Sequence, residues 1–160
     1  MSQPCAVMLR PARAPEAQAM AEMSRELIEA GLRWRYTPVR MATLIRDPDT
    51  VALVACDASH IQGFAVMQFG DDKAHLSLLC VRPGQQRQGI GRRLTEWLTE
   101  SARVAGIAAI ELELRADNIS ALNFYQRLGF TETAWVPGYY GGRVAARRMV
   151  KVLREDSAPA

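Results

Sequence analysis

Apolar positions along the 160-residue chain change their period several times, and each change marks the start of a new element. Ala6 to Arg10 is a short apolar run closed by Pro11 and reads as a first strand. From Ala14 to Gly31 the spacing turns helical: Ala17, Met20, Ser24, Leu27 and Ile28 share one face, Pro15 suits the first turn, and Gly31 suits the C-terminal cap. Thr37-Pro38 opens a second helix through Met41, Leu44 and Ile45 that must end before Pro48. Three strands follow, Val51 to Asp57, Ile61 to Phe69 and Ala74 to Val81, joined by the turn-like segments 57–60 and 70–73. Leu94, Trp97, Leu98, Ala102 and Ala105 mark the buried stripe of a third helix that stops at Gly106. Ile107 to Arg115 alternates Ile110, Leu112 and Leu114 with Glu111, Glu113 and Arg115, the period of a strand. Asp117 or Asn118 caps a fourth helix through Leu128, closed by Gly129, and two last strands, 130–136 and 144–153, flank a loop rich in glycine and tyrosine. The order β-α-α-β-β-β-α-β-α-β-β predicts an α/β domain with a mixed, largely antiparallel sheet of about seven strands and four helices.

Between the strand ending at Val81 and the third helix stands Arg82-Pro83-Gly84-Gln85-Gln86-Arg87-Gln88-Gly89-Ile90-Gly91-Arg92-Arg93. Gly89 and Gly91 leave backbone uncovered by Cβ atoms, so successive N–H groups can turn toward one ligand. At a helix start those groups have no intrahelical acceptor, and the helix dipole adds partial positive charge. A pyrophosphate fits such a cradle, and Arg87, Arg92 and Arg93 bracket it. The P-loop ending is absent, since Arg92 follows Gly91, and a Rossmann fingerprint would need a third glycine and a distant acid.

Gln86-x-x-Gly89-x-Gly91 resembles the pyrophosphate loop of the GCN5-related N-acetyltransferases, the GNAT superfamily, and the element order is similar to that fold across nearly the whole chain. A second resemblance lies in Asn118-x-x-Ala121-x-x-x-Tyr125, followed by Gly129-Phe130, and is most similar to the branch that acetylates protein N-termini, including the bacterial ribosomal-protein alanine acetyltransferases. The resemblance implies acetyl-CoA as acetyl donor, held by Leu79, Cys80, Val81, Arg87, Gln88, Gly89, Ile90, Gly91, Arg92 and Asn118. It also implies Glu113 as general base and Tyr125 as general acid for direct attack by an amine through a tetrahedral intermediate. The chemistry wants those types. An α-amine, with a pKa near 8, must lose a proton, and the leaving thiolate must gain one from a group such as a phenol with a pKa of about 10.

Other roles stand beside these. Glu113 can be an ion-pair partner on a polar strand face, Tyr125 a packing residue, and Asn118 a helix cap. Cys80 reads as a small buried residue near the cofactor, and His60 and His75 as ordinary turn or surface residues. In the family, acceptor choice comes from two loops, here 31–38 and 136–143. Trp34, Tyr36, Tyr139 and Tyr140 are the candidate acceptor-binding residues. Tyr139-Tyr140 is similar to the tyrosines that cover a peptide N-terminus, whereas Arg33 and Arg35 depart from the ribosomal branch and suit an anionic or planar acceptor. A peptide α-amine is therefore the first expectation, a small-molecule amine the second, and a non-catalytic acyl-CoA-binding module the third.

Composition narrows the remaining classes. With 49% hydrophobic and 23% charged residues, the chain reads as one globular domain over 1–154 with a disordered tail over 155–160. A net charge of +3 without basic runs interleaved with aromatics gives no nucleic-acid surface, and no stretch has the roughly 20 apolar residues of a membrane span. Three cysteines, Cys5, Cys56 and Cys80, lack metal-ligand spacing, so no disulfide, zinc or other metal is expected. A cytoplasmic monomer or homodimer is the expectation.

Overall fold

The computed structural model describes residues 6–86 and 88–154; Arg87 and the predicted tail at 155–160 lie outside the described residues. Seven strands form one sheet: β1 (Met8–Pro11), β2 (Thr50–Cys56), β3 (Ile61–Phe69), β4 (Lys73–Val81), β5 (Ala109–Arg115), β6 (Thr131–Tyr140) and β7 (Val144–Val152). They lie in the order β1-β2-β3-β4-β5-β7-β6, antiparallel throughout except where β4 meets β5. The helices are α1 (Ala17–Leu27), α2 (Pro38–Arg46), α3 (Ile90–Val104) and α4 (Ile119–Arg127).

The sheet is covered on both faces. On one, Leu53, Met67, Leu76 and Leu112 pack with Ile90, Leu94 and Leu98 of α3 and Tyr125 of α4. On the other, Val54, Phe64, Val66, Leu78 and Cys80 pack with Met20 and Met23 of α1 and Met41 and Leu44 of α2. Leu76 and Leu78 are two residues apart yet belong to opposite layers, which strict strand alternation forbids. A bulge explains it. Val66 pairs with Leu78 and Met67 with Leu76, so Ser77 is the extra residue.

The buried stripe of α3 is Ile90, Leu94, Leu98 and Ala102, every fourth position. Thr95 and Thr99 also lie in its buried part and satisfy their hydroxyls by donating to the carbonyls of Gly91 and Thr95. Trp97 and Ala105, expected in the stripe, lie off it: Trp97 is 41% exposed and Ala105 is exposed. The first helix is shorter than its apolar spacing predicts. It ends at Leu27, itself exposed, because the buried Glu29 carboxylate accepts from Ser24 Oγ and from the backbone N–H groups of Arg35 and Tyr36. These bonds fold the chain back on itself before Gly31. The loop expected at 136–143 is mostly strand, since β6 runs to Tyr140 and turns through Gly141 and Gly142, both at positive φ.

Gly63 of β3 sits where β4 and α3 converge. A Cβ there would lie 2.8 Å from the Cys80 carbonyl oxygen and 3.3 Å from Ile90 Cγ2. Gly63→Ala is therefore expected to lower unfolding free energy by about 1–3 kcal/mol through overpacking, measured by urea denaturation; an unchanged midpoint would mean that the backbone of β4 yields freely at this point.

Candidate active site

Sequence dictates an uncapped start for α3. Gly89 is its N-cap at φ 78°, without a side-chain cap, whereas Thr37 and Asn118 cap α2 and α4 with side-chain oxygens. Arg93 N–H bonds back to the Gly89 carbonyl, and the N–H groups ahead of it are those a helix leaves without intrahelical partners. Gln88 and Gly89 are exposed there. Gly91 has a packing reason to lack a side chain, since its Cβ would lie 3.3 Å from Phe124 Cζ of α4. Of the arginines bracketing the loop, Arg92 pairs with Glu96 at 2.8 Å on the helix surface, and Arg93 donates to the Val7 carbonyl.

Between β4 and β5 the sheet opens. β4 and β5 pair only over Lys73–His75 with Ala109–Glu111. Beyond that point they part, leaving a cleft of 460 Å³ lined by Ser77, Leu79, Glu113, Asn118, Tyr125 and Tyr140 among others. Glu113 and Tyr125, drawn from different elements, thus meet in one cavity. So do Leu79 and Asn118. Asn118 keeps its capping role as well, its Oδ1 accepting from Ala121 N–H at 3.1 Å. Cys80 does not line the cleft. It is buried in the layer toward α1 and α2, where burial pushes its thiol up to about 12, so it stays protonated.

Tyr125 is held by edge-on contacts with Phe124 and Phe130, ring centroids 5.1 and 5.5 Å away. Its side chain lines the cleft. Burial first, and the neighbouring Tyr140 second, raise its pKa well above the usual phenol value, so it keeps its proton at neutral pH.

Glu113 is more constrained than its place on an alternating strand suggests. Its side chain is 9% exposed; Oε2 lies 2.5 Å from His75 Nε2, and Oε1 accepts from Arg148 Nε at 3.1 Å. Burial alone would raise the carboxyl. The hydrogen bond and charge of His75, and then those of Arg148, outweigh it, so the group titrates below its ordinary value and is ionised at neutral pH. His75 and Arg148 were not legible as site residues, because strand register across β4, β5 and β7 decides their meeting. Glu113 faces Arg148 in the antiparallel pair, and His75 enters from the short parallel pair.

The candidate acceptor residues divide. Tyr140 lines the cleft; Tyr139 stacks edge-on with it at 4.8 Å, and burial, then Glu113, then Tyr36 raise the Tyr139 hydroxyl. Tyr36 carries Arg40 over its ring at 4.5 Å. Trp34 stands apart: its indole N–H donates to the Ala21 carbonyl and its ring lies under Arg25, both on α1. Arg115 donates to the carbonyls of Ile28 and Ala30, so the strand that carries Glu113 also holds the end of α1 and the loop after it.

A model of the acetyltransferase (GNAT) family matches residues 16–130. Over 77 residues, 48% of the chain, it is 42% identical to the Escherichia coli K12 [ribosomal protein bS18]-alanine N-acetyltransferase. The chain spans about half the length of the curated relatives it matches, 52% in that case. Its fold is similar to the crystal structure of the E. coli ribosomal-protein-S18-alanine N-acetyltransferase, with a TM-score of 0.81 and 24% identity over 96% of this chain and 98% of that one. It is also similar to a Salmonella typhimurium acetyltransferase solved with its cofactor acetyl-CoA, with a TM-score of 0.79 and 22% identity over 96% and 98%. Among the described residues, no helix is long and apolar enough to cross a membrane.

The depressed Glu113 pKa has a signed consequence for stability. A carboxyl whose folded pKa lies below its unfolded value of about 4.3 stabilises the fold above that value, and the contribution is lost as pH falls through the folded pKa. In denaturant titrations at several pH values, the stability advantage of the wild type over Glu113→Gln is expected to be level just above pH 5 and to decline at lower pH. A difference that does not change with acidity would contradict the pairing.

Proposed function

The chain belongs to the acetyltransferase (GNAT) family, and on that premise we propose that it transfers the acetyl group of acetyl-CoA to a primary amine, with a peptide α-amine as the preferred acceptor. The observation that carries the reading is the meeting of Glu113 and Tyr125 in one cleft, with the uncapped start of α3 packed at Gly91 against Phe124, the neighbour of Tyr125. In this reading the pyrophosphate of acetyl-CoA takes the N–H groups of Gly89, Ile90, Gly91 and Arg92, and Leu79 and Asn118 flank the rest of the coenzyme. Cys80 and Val81 contribute through the strand on which they stand.

The proton traffic follows from the two environments. An ionised carboxylate below its ordinary pKa is too weak a base to strip a free ammonium ion efficiently. It is adequate once the N–C bond is forming, because the nitrogen then becomes strongly acidic. Glu113 would orient the amine and take that proton. Tyr125, protonated and lining the cleft, would donate to the departing thiolate. Tyr139 and Tyr140, together with Tyr36, would enclose the acceptor's first residue. Exposed Arg33 and Arg35 favour, as a second reading, an acceptor bearing an anionic group, including a small-molecule amine.

Incubation with acetyl-CoA and a mixed panel of peptides and small amines, followed by mass detection, tests the reading. Acetylated peptide α-amines are expected; acetylation confined to small amines would move the acceptor to the second reading, and none at all would refute transferase activity on amines. Two variants assign the parts. Gly89 adopts a left-handed conformation that Asn and Asp tolerate, and a Cβ there meets no atom within 4 Å. Gly89→Asp should therefore abolish the rise in Tm caused by acetyl-CoA, while Gly89→Asn retains most of it. Tyr125→Phe should keep acetyl-CoA affinity and lower turnover by about 10²- to 10⁴-fold; wild-type turnover when chemistry is limiting would leave Tyr125 a packing residue.

A further inference from the structure

We propose that His75 is the positioning residue that decides when Glu113 can act as a base, the two side chains working as one proton-linked pair. The inference rests on the amine-acetylation reading above and adds a residue that neither motif contains. Its basis is a continuous row of polar atoms on the face of β3, β4, β5 and β7 opposite α3. Gln68 Nε2 donates to Ser77 Oγ at 2.7 Å, Ser77 Oγ lies 2.9 Å from His75 Nδ1, His75 Nε2 lies 2.5 Å from Glu113 Oε2, and Arg148 Nε donates to Glu113 Oε1 at 3.1 Å.

Hydrogen-bond bookkeeping selects one tautomer. An ionised carboxylate has only acceptors, so a contact as short as 2.5 Å requires a proton on Nε2. In the neutral ring Nδ1 is then an acceptor, and the one hydrogen of Ser77, whose oxygen already accepts from Gln68, has Nδ1 at 2.9 Å as its nearer acceptor and the His75 carbonyl at 3.4 Å as the farther. Ser77 shares the face of His75 because the two are two residues apart on β4, and the bulge takes effect only after it, at Leu78. The residue is an unpaired extra in the ladder, and its side chain serves the site.

Exposure divides the labour. Glu113 is 9% exposed and faces the cleft, whereas His75 is 40% exposed and can exchange protons with water. With a neutral ring, Glu113 feels one adjacent cation, Arg148. With a charged ring it feels two, and its hold on an incoming proton weakens further. Other groups face the pair: Lys73 and Glu111, joined at 3.2 Å, flank His75 on β4 and β5, and Tyr139 and Tyr140 of β6 approach Glu113, with Tyr36 and Arg35 beyond them. None supplies a second carboxylate within hydrogen-bond reach of His75.

Two measurements test this. Nitrogen-15 spectra of the wild type, in the pH range where the ring is neutral, should show His75 as the Nε2–H tautomer. The chain has two histidines, so a His60→Gln variant completes the assignment. An Nδ1–H tautomer would overturn the proposal whether or not the protein acetylates anything. For an amine that the wild type acetylates, log kcat/KM should rise on the acid limb with a slope of about two, one proton from the amine and one from the ring, and with a slope of about one in His75→Gln. The glutamine amide can still donate to Glu113, so its alkaline-plateau rate should stay near wild type, while His75→Ala should fall about 10-fold or more at every pH with acetyl-CoA affinity intact. Equal slopes in wild type and His75→Gln would overturn the proposal. The predicted tautomer in a protein that acetylates no amine would instead leave the pair standing and refute the acceptor chemistry.

Discussion

Everything in the candidate site depends on β4 and β5 parting company after three paired residues. Had the parallel ladder continued past His75 and Glu111, the backbone of Ser77 to Val81 would be spent on hydrogen bonds to Glu113 and Arg115. No cleft could form between them. The separation leaves strand-end backbone groups facing a cavity, while β4 stays paired with β3 through Val81. The bulge at Ser77 acts in the same place, moving Leu78 and Cys80 to the layer beneath α1 and α2 and leaving Leu76 and Leu79 toward α3 and α4. One irregularity therefore serves two packing layers and a binding site, at the cost of an interrupted ladder.

That opening sets opposite demands on the two ends of the cleft. At the α3 end the chain leaves backbone donors without a protein cap, an arrangement that favours an anion. At the β5 end it buries a carboxylate, which is tolerable only because Arg148 and His75 both meet it. The rest of the acceptor side is braced by similar economies. Glu29 ties the loop between α1 and α2 through the backbone of Arg35 and Tyr36, and Arg115 caps the end of α1. Glu29 and Arg115 are each matched to backbone groups that would otherwise be stranded.

Much of this was legible in the sequence because the information was local. The period-2 alternation at Ile110, Leu112 and Leu114, the Thr37 and Asn118 caps, and the glycine loop before Ile90 each depend on neighbours within a few residues. The failures share a different character. Helical spacing ran through Leu27 and Ile28 to Gly31, but a buried Glu29 clasp, a tertiary contact, ended the helix earlier. Trp97 has the residue type of a core position and the angle of a surface one, and angle prevails. His75 was invisible as a partner of Glu113 since 38 residues separate them and only the register of a three-residue parallel ladder joins them. Ser77 likewise reads as one polar position in an alternating strand until its bulge is seen.

The central claim is that acetyl-CoA occupies the line from the start of α3 into the opening between β4 and β5. Amide chemical-shift mapping during titration with acetyl-CoA tests it most directly, because backbone N–H groups are the proposed ligands. The largest changes should fall on Gly89, Ile90, Gly91 and Arg92, continue to Leu79, and be matched by smaller ones at Asn118. Changes confined to other faces of the sheet, or saturable binding that leaves the amides of Gly89 to Arg92 unmoved, would contradict the account.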